Sequence, residues 1–224
     1  MSTIRLVDSF AAPGRGPAGL TWDGRHLWHA DFHAGRLFRL EREGVRVVDS
    51  FICPGVLSGL TWDGRHLWQA LVDEGWVRAI NPTSHDFDRT IVVADAGRLA
   101  GVAWDGQQLW AVSQEQGKLL AIDRERGEVT HTLPVPVAGG GLAYRDGAFW
   151  LGAPQAMRFD EETRDFTWMG GERCFVLLQI DAASGRERGR QELDFLPLGI
   201  TWVREELWLA GGGRLHRARV VEGH

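Results

Sequence analysis

One short stretch of the sequence carries three side chains that bind metals or move protons, His29, Asp31 and His33. Residues two positions apart in a β-strand lie on the same face, so a strand through this stretch would present all three together. Two imidazoles and a carboxylate are ligands for Zn²⁺ or a similar divalent metal ion, and an imidazole beside a carboxylate also forms a general base. The spacing predicts these residues as catalytic residues and as metal ligands.

The same residues also allow a structural interpretation. An aspartate at the end of a strand often caps the following turn through its carboxylate. His29 would then be a hydrogen-bonded residue between two sheets. If the strand ends before His33, the three side chains no longer share a face.

Further ionisable side chains lie in two stretches of the sequence that align with residues 29–35, namely 69–75 and 111–117. Asp73, Glu74 and Glu115 could hold a cation, or act as general acid and base if burial raises one pKa. The alternative is a set of solvated acidic loops. We predict Glu115 as a catalytic residue, and Asp73 and Glu74 as substrate-binding residues.

Arg98 and Trp76 complete the set near these loops. The guanidinium of Arg98 could clamp a carboxylate or phosphate, or pair with Asp95. Trp76 could line a pocket or cover a sheet edge. Both are predicted as substrate-binding residues.

The elements that position these residues are revealed by an internal repeat. A ten-residue unit beginning with glycine and ending with tryptophan returns about every 40 residues, a period typical of repeat architectures. Its copies are GLTWDGRHLW (19–28), GLTWDGRHLW (59–68), GVAWDGQQLW (101–110), GLAYRDGAFW (141–150) and GITWVREELW (199–208). The repeated tryptophans are expected to pack between neighbouring sheets, and the opening glycines to let inner strands approach one another.

Each unit predicts a four-stranded antiparallel sheet. The Asp23–Gly24 pair predicts a type I′ turn between strand a, ending near Trp22, and strand b, beginning near His26. Further short runs predict strand c at 36–40 and strand d at 45–52. Such sheets are the blades of a β-propeller.

The two ends of the chain predict how the ring closes. The segment Ile4–Phe10 resembles Val45–Phe51, the outer strand of the first unit, yet it precedes the first inner strand. It is therefore expected to supply the missing outer strand of the last blade. We predict an all-β, single-domain, five-bladed propeller over residues 1–224, with free sheet edges removed by closure.

Blade four departs from its siblings by an insertion at 151–171, about 18 residues beyond the period of the other units. It lies in the b–c loop, on the side of the ring that also carries the d–a crossings, here called the b–c face. We expect it to cover the channel mouth as a lid or to contact a protein partner. Arg158, Trp168 and the adjacent Arg173 are predicted as substrate-binding residues.

The composition excludes several classes of function. With 25 Lys and Arg against 30 Asp and Glu, the net charge is −5 and no basic run is present, which argues against a nucleic-acid partner. No apolar stretch reaches the length of a membrane span, and Met1–Arg5 lacks the apolar stretch of a signal peptide. We therefore expect a cytoplasmic location and no membrane association.

The repeated unit, followed by Ala30-Asp31 and by G-x-L-x-x-L, resembles bacterial propellers related to virginiamycin B lyase, to the NHL and SMP-30-like proteins and to glutamine cyclotransferase. This resemblance implies the propeller fold. Five blades are similar to the plant-type cyclotransferases, which cyclise N-terminal glutamine and carry Phe-Thr-Gln-Gly-Leu in strand a. Here Pro17-Ala18 and Leu57-Ser58 precede Gly-Leu, so that signature is absent. The lyase family is seven-bladed and uses His and Glu with Mg²⁺, and Asp31-x-His33 is loosely similar to that acid-x-His pair.

Together these features predict a propeller that binds a small molecule at the channel mouth of the b–c face. The site would belong to a metal-assisted lyase or hydrolase, with a divalent metal ion as its cofactor. The first alternative is a non-catalytic protein-interaction scaffold that uses the 151–171 insertion. The second is a glutamine cyclotransferase-like activity.

Overall fold

The computed structural model describes residues 2–55, 57–72, 75–137, 139–155, 157–160, 165–168 and 174–222. Its strands form five four-stranded antiparallel sheets and one two-stranded sheet. The innermost strands of the five large sheets contact one another in a closed circle. The chain is thus a five-bladed β-propeller, as the repeat predicts. Among the described residues, none forms an apolar helix long enough to cross a bilayer.

In each blade the strands run from a at the axis to d at the periphery. The first strand of the chain, β1 (Ser2–Ala11), belongs to the last blade. Blade one consists of β2 (Pro17–Trp22), β3 (Leu27–Asp31), β4 (Arg36–Leu40) and β5 (Val47–Ile52), with a 3₁₀ helix (Glu43–Val45) before β5, and blade two consists of β6 (Leu57–Trp62), β7 (Leu67–Leu71), β8 (Trp76–Ile80) and β9 (Phe87–Val92). Blade three consists of β10 (Leu99–Trp104), β11 (Leu109–Ser113), β12 (Lys118–Ile122) and β13 (Val129–Pro134), and blade five adds β20 (Gly199–Val203), β21 (Glu206–Gly211) and β22 (Arg214–Glu222) to β1. Blade four consists of β14 (Leu142–Arg145), β15 (Ala148–Pro154), β18 (Phe175–Asp181) and β19 (Glu187–Leu193), and the strands β16 (Met157–Asp160) and β17 (Asp165–Trp168) are inserted between β15 and β18.

The ring closes through the first strand of the chain. β1 pairs antiparallel with β22, with Ile4 opposite Val220 and Phe10 opposite Leu215. Blade five therefore takes its outer strand from the beginning of the chain, which confirms the prediction from the matching segments.

The glycines that open the repeated units allow the inner strands to meet at the axis. A Cβ atom added to Gly59 would lie 2.4 Å from the backbone nitrogen of Val102 in the next blade, and one added to Gly199 would lie 2.6 Å from the carbonyl oxygen of Ala18. Gly19, Gly101 and Gly141 have equivalent contacts of 2.5 to 2.7 Å. Side chains at these positions would push neighbouring blades apart.

The repeated tryptophans occupy the spaces between blades. Trp28 of blade one is buried in a cluster that includes Leu60 and Leu67 of blade two. The remaining buried tryptophans of the set are Trp68, Trp110, Trp150 and Trp208. Their burial between sheets agrees with the packing role expected from the repeat.

The type I′ turn predicted at Asp23–Gly24 is wrong by one residue. The backbone N–H of Asp23 donates to the carbonyl of His26, so the central residues are Gly24 and Arg25. Only Gly24 has a positive φ, +96°, as in type II′ turns. Asp23 sets which residues form the turn, because its carboxylate accepts the N–H groups of Arg25 and His26 and the indole N–H of Trp28 at 2.6 to 2.7 Å.

The described residues of the insertion predicted at 151–171 include a two-stranded ribbon. Strand β15 continues to Pro154, so residues 151–154 of the predicted insertion belong to the blade itself. β16 and β17 pair antiparallel, with Met157 opposite Trp168 and Asp160 opposite Asp165. The base is closed by the N–H of Gln155, which donates to the carbonyl of Cys174 at 2.8 Å.

Replacing Gly59 with alanine should weaken the ring, because the added methyl group would overlap backbone of the next blade. We expect the free energy of unfolding in urea to fall by about 2–3 kcal/mol. Gly189→Ala is the control, since its added Cβ would have Gln179 Oε1 as nearest neighbour at 3.8 Å. Equal losses in the two variants would contradict close packing at the axis.

Candidate functional site

The predicted metal site at His29, Asp31 and His33 is not assembled. β3 ends at Asp31, and His33 lies in the exposed turn that follows, with its ring against Phe32 at a centroid distance of 4.1 Å. His29 and Asp31 share a face of the strand but are fully buried. Within the described residues, no group of three or more His, Cys, Asp or Glu side chains is placed to hold a metal ion. These residues therefore do not fit the expected divalent metal.

Asp31 joins the b–c turn to the d–a crossing. Its Oδ1 accepts the N–H of Ala34 at 2.7 Å, and its Oδ2 accepts the N–H of Gly16 at 2.9 Å. Burial, the largest influence, raises the pKa of Asp31, but these N–H groups and nearby His29 outweigh it and leave the pKa below its usual value. The carboxylate thus stays ionised as a structural acceptor.

The equivalent residue in blade three has a similar role. The hydroxyl of Ser113 donates to the carbonyl of Ala96 in the crossing at 2.6 Å and accepts the N–H of Gln116 in the turn at 3.3 Å. Two blades therefore use a polar side chain at this position to tie the same two segments together. This is the turn-capping alternative that the sequence left open for Asp31.

His29 is a buried, neutral imidazole that bonds to the inner strand. Its Nδ1 lies 3.3 Å from the carbonyl oxygen of Gly19, and since a carbonyl only accepts, Nδ1 carries the proton. The ring stacks on Phe38 at 6.0 Å. Burial lowers the pKa of His29 to about 4. Its Nε2 atom is buried and has no hydrogen-bond partner among the described residues.

Blade two places a glutamine at the position of His29. The side-chain amide of Gln69 donates to the carbonyls of Gly59 and Ser58 at 2.8 and 3.0 Å. The two side chains thus serve the same purpose, which is to satisfy a carbonyl of the glycine-containing inner strand. Both positions belong to the interblade core.

The remaining predicted residues are spread over the b–c face. Glu115 lies half-buried in a turn against Gly97, where a Cβ atom would be 2.4 Å from its Oε2. Arg98 is half-buried in the crossing before β10, and its carbonyl accepts the N–H of Gln114 at 3.0 Å. Trp76 begins β8 and packs partly buried against the cluster between blades one and two. Arg98 thus lies in the d–a crossing that enters blade three, and Glu115 lies against the same crossing.

The other predicted substrate-binding residues belong to the ribbon or lie outside the described residues. Arg158 is opposite Thr167 and Trp168 is opposite Met157 in the ribbon, so the two residues occupy opposite faces. Asp73, Glu74 and Arg173 lie outside the described residues.

Sequence reasoning missed the pairing of the ribbon. The alternation Met157-x-Phe159 and Phe166-x-Trp168 on either side of a polar stretch is the pattern of a hairpin, and it was available in the sequence. The register puts Met157, Phe159, Phe166 and Trp168 on one face of the ribbon. The other face carries Arg158, Asp160, Asp165 and Thr167.

Comparison with known proteins identifies the fold. The chain is similar to the crystal structure of a glutaminyl cyclase from Myxococcus xanthus, with a TM-score of 0.77 and 16% sequence identity over 98% of this chain and 97% of that one. At this identity the likeness establishes the propeller fold and nothing finer. No family model matches the chain, and no curated protein matches it.

His29→Gln should keep the fold and remove one source of pH dependence, because Gln69 shows that an amide satisfies this position. The pKa of His29 is about 4 in the folded protein, whereas in the unfolded chain the pKa has its ordinary value of 6.5. The unfolded state therefore binds more protons between pH 4 and 6.5, so stability rises with pH across this window and is fully present above it. As the pH falls from 6.5 to 4, the free energy of unfolding should decrease by up to about 3 kcal/mol more in the wild-type protein than in the variant.

The measurement is urea unfolding of both proteins at a series of pH values. Parallel pH profiles for wild type and His29→Gln would contradict a buried, neutral His29.

Proposed function

We propose that the propeller is an interaction module that binds an extended apolar segment of a protein partner through the β16–β17 ribbon. The observation that carries this proposal is the register of the ribbon, which gathers Met157, Phe159, Phe166 and Trp168 on one face and four polar residues on the other. Large apolar residues concentrated on one face are typical of a binding surface.

The ribbon also offers edges to a partner. A two-stranded hairpin is only marginally stable by itself and gains from a third strand or a covering surface. β16 and β17 form their own sheet, and neither joins the blades. A partner strand added to one edge would satisfy backbone groups, while its alternate side chains would cover the apolar face. An extended segment therefore suits the ribbon better than a helix does.

The position of the ribbon favours recognition on the b–c face. It leaves blade four after Pro154 and returns before Phe175, at the ends of two paired strands. The same face carries Glu115 and Arg98 in the neighbouring blade three. A bound segment could thus extend from the ribbon towards charged groups of the next blade.

The test is selection of random linear peptides against the intact chain, with counter-selection against a chain in which residues 155–174 are replaced by the short turn of blade three, residues 114–117. Enriched peptides should bind with saturation. Phe159→Ala should weaken binding about tenfold or more. Thr167→Ala, on the opposite face, should leave it unchanged. Failure to enrich any peptide that distinguishes the two chains would refute the proposal.

A second candidate is a small-molecule site at the channel mouth, in a lyase, a hydrolase or a cyclotransferase. It is favoured by the whole-chain likeness to a propeller named as a glutaminyl cyclase. Glu115 would act there as general acid or base and Arg98 as the anion clamp. The residues before the repeated Gly-Leu pairs, Ala18 and Ser58, depart from the cyclotransferase signature.

For the cyclotransferase reading, the assay is release of ammonia from peptides that begin with glutamine. Activity lost in Glu115→Gln and kept in Arg46→Ala would support it, since Arg46 forms an exposed ion pair with Glu41 on the opposite side of the ring. Wild-type release no faster than the spontaneous reaction would eliminate this candidate.

A further inference from the structure

The opposite side of the ring, which carries the a–b and c–d turns and is here called the a–b face, contains an ion pair between blades two and three. Arg124 in a c–d turn donates to Oδ2 of Asp63 at 2.7 Å. Its guanidinium lies over the ring of Trp104 at 4.7 Å. The Asp63 side chain is only 1% exposed and also accepts the indole N–H of Trp68 at 2.8 Å. The Oδ2 atom of Asp63 thus accepts from donors of two neighbouring blades, while its Oδ1 atom accepts the N–H groups of Arg65 and His66 in the a–b turn.

The repeat supplies the same donors between blades five and one, without the carboxylate. By position in the repeated unit, Arg42 corresponds to Arg124, and Trp208 corresponds to Trp68. Val203 stands where Asp63 would be. The indole nitrogen of Trp208 is buried and has no acceptor among the described residues. Arg42 contacts Glu43 at 3.5 Å, but that glutamate is 84% exposed, so solvent screens the pair.

Arg42 and Val203 line an open groove of about 710 Å³ at the junction of blades four, five and one. Apolar surface in the groove comes from Trp202 and Val220, which are partly exposed, whereas the side chain of Val203 is fully buried. A ligand in this groove would meet a guanidinium beside a flat apolar surface.

The acidic residues of the groove are engaged by other arginines. Arg145 lies over Trp202 at 4.5 Å and pairs with Glu205 at 2.7 Å and Asp146 at 3.0 Å. Glu206 pairs with Arg219 at 3.6 Å. Pairing with Arg219 reduces the repulsion from the mostly buried Glu206, and solvent screens the charges of Glu205 and Asp146, which are 88% and 87% exposed.

We propose that this groove binds a small organic anion, with its carboxylate or other oxyanion on Arg42 and an apolar body against Trp202 and Val220. The ligand's oxyanion would replace the aspartate that the repeat has lost at position 203. Arginine suits this role because its planar guanidinium donates two parallel hydrogen bonds to such a group.

Isothermal titration of the full chain with benzoate, acetate, inorganic phosphate and benzylamine tests the proposal. Benzoate should bind with a dissociation constant on the order of 1 mM, as expected for one partly exposed guanidinium and a small apolar contact. Acetate and phosphate, which lack the apolar body, should bind more weakly than benzoate. Benzylamine, with the opposite charge, should not bind.

Two variants assign the binding to the groove. Arg42→Ala should weaken benzoate binding about tenfold or more, whereas Arg46→Ala, in the same turn but paired with Glu41, should not. Val203→Asp restores the missing carboxylate and should abolish binding by occupying Arg42. If Val203→Asp does not fold, the two arginine variants decide. Absence of saturable benzoate binding, or equal affinity of the two arginine variants, would overturn the proposal.

Discussion

The close approach of five inner strands around one axis is the constraint on which the structure depends. Each strand carries a glycine where a Cβ atom would meet backbone of the next blade. Backbone so crowded leaves little space for water, so its carbonyls need partners from the protein. This requirement explains His29 and Gln69, which occupy the same position in two blades and bond to carbonyls of the glycine-bearing strands. Side chains with the chemistry of a catalytic site are used here to complete the ring.

The same reasoning separates shared positions from departures. Asp31 and Ser113 differ in charge but connect the same two segments, so the difference between them carries no functional information. Two departures remain, the ribbon of blade four and the loss at Val203 of the aspartate of the repeated unit, which is also absent at Arg145 in blade four. They lie on opposite faces, one offering strand edges and the other a guanidinium beside apolar surface. The two proposals are therefore independent.

The sequence predicted the blades because the period of glycine and tryptophan is a direct consequence of ring packing. It also predicted the closing strand, since Ile4–Phe10 repeats the pattern of an outer strand. The end of β3 was beyond local reasoning, because the bonds of Asp31 to Gly16 and Ala34 decide it and the d–a crossing must already be in place. The prediction placed the a–b turn one residue too early, because the Asp23 carboxylate accepts hydrogen bonds from the position before the two central residues of the turn. That Arg42 faces a valine where Arg124 meets an aspartate could be recognised only once equivalent interfaces were compared in space.

Hydrogen exchange of the backbone amides of β1, followed by mass spectrometry, tests ring closure most directly. The account predicts that those amides between Ile4 and Phe10 that donate to β22 exchange as slowly as the amides of β22, because the pairing of β1 with β22 opens only with the whole ring. Fast exchange throughout β1 while β22 remains protected would contradict it.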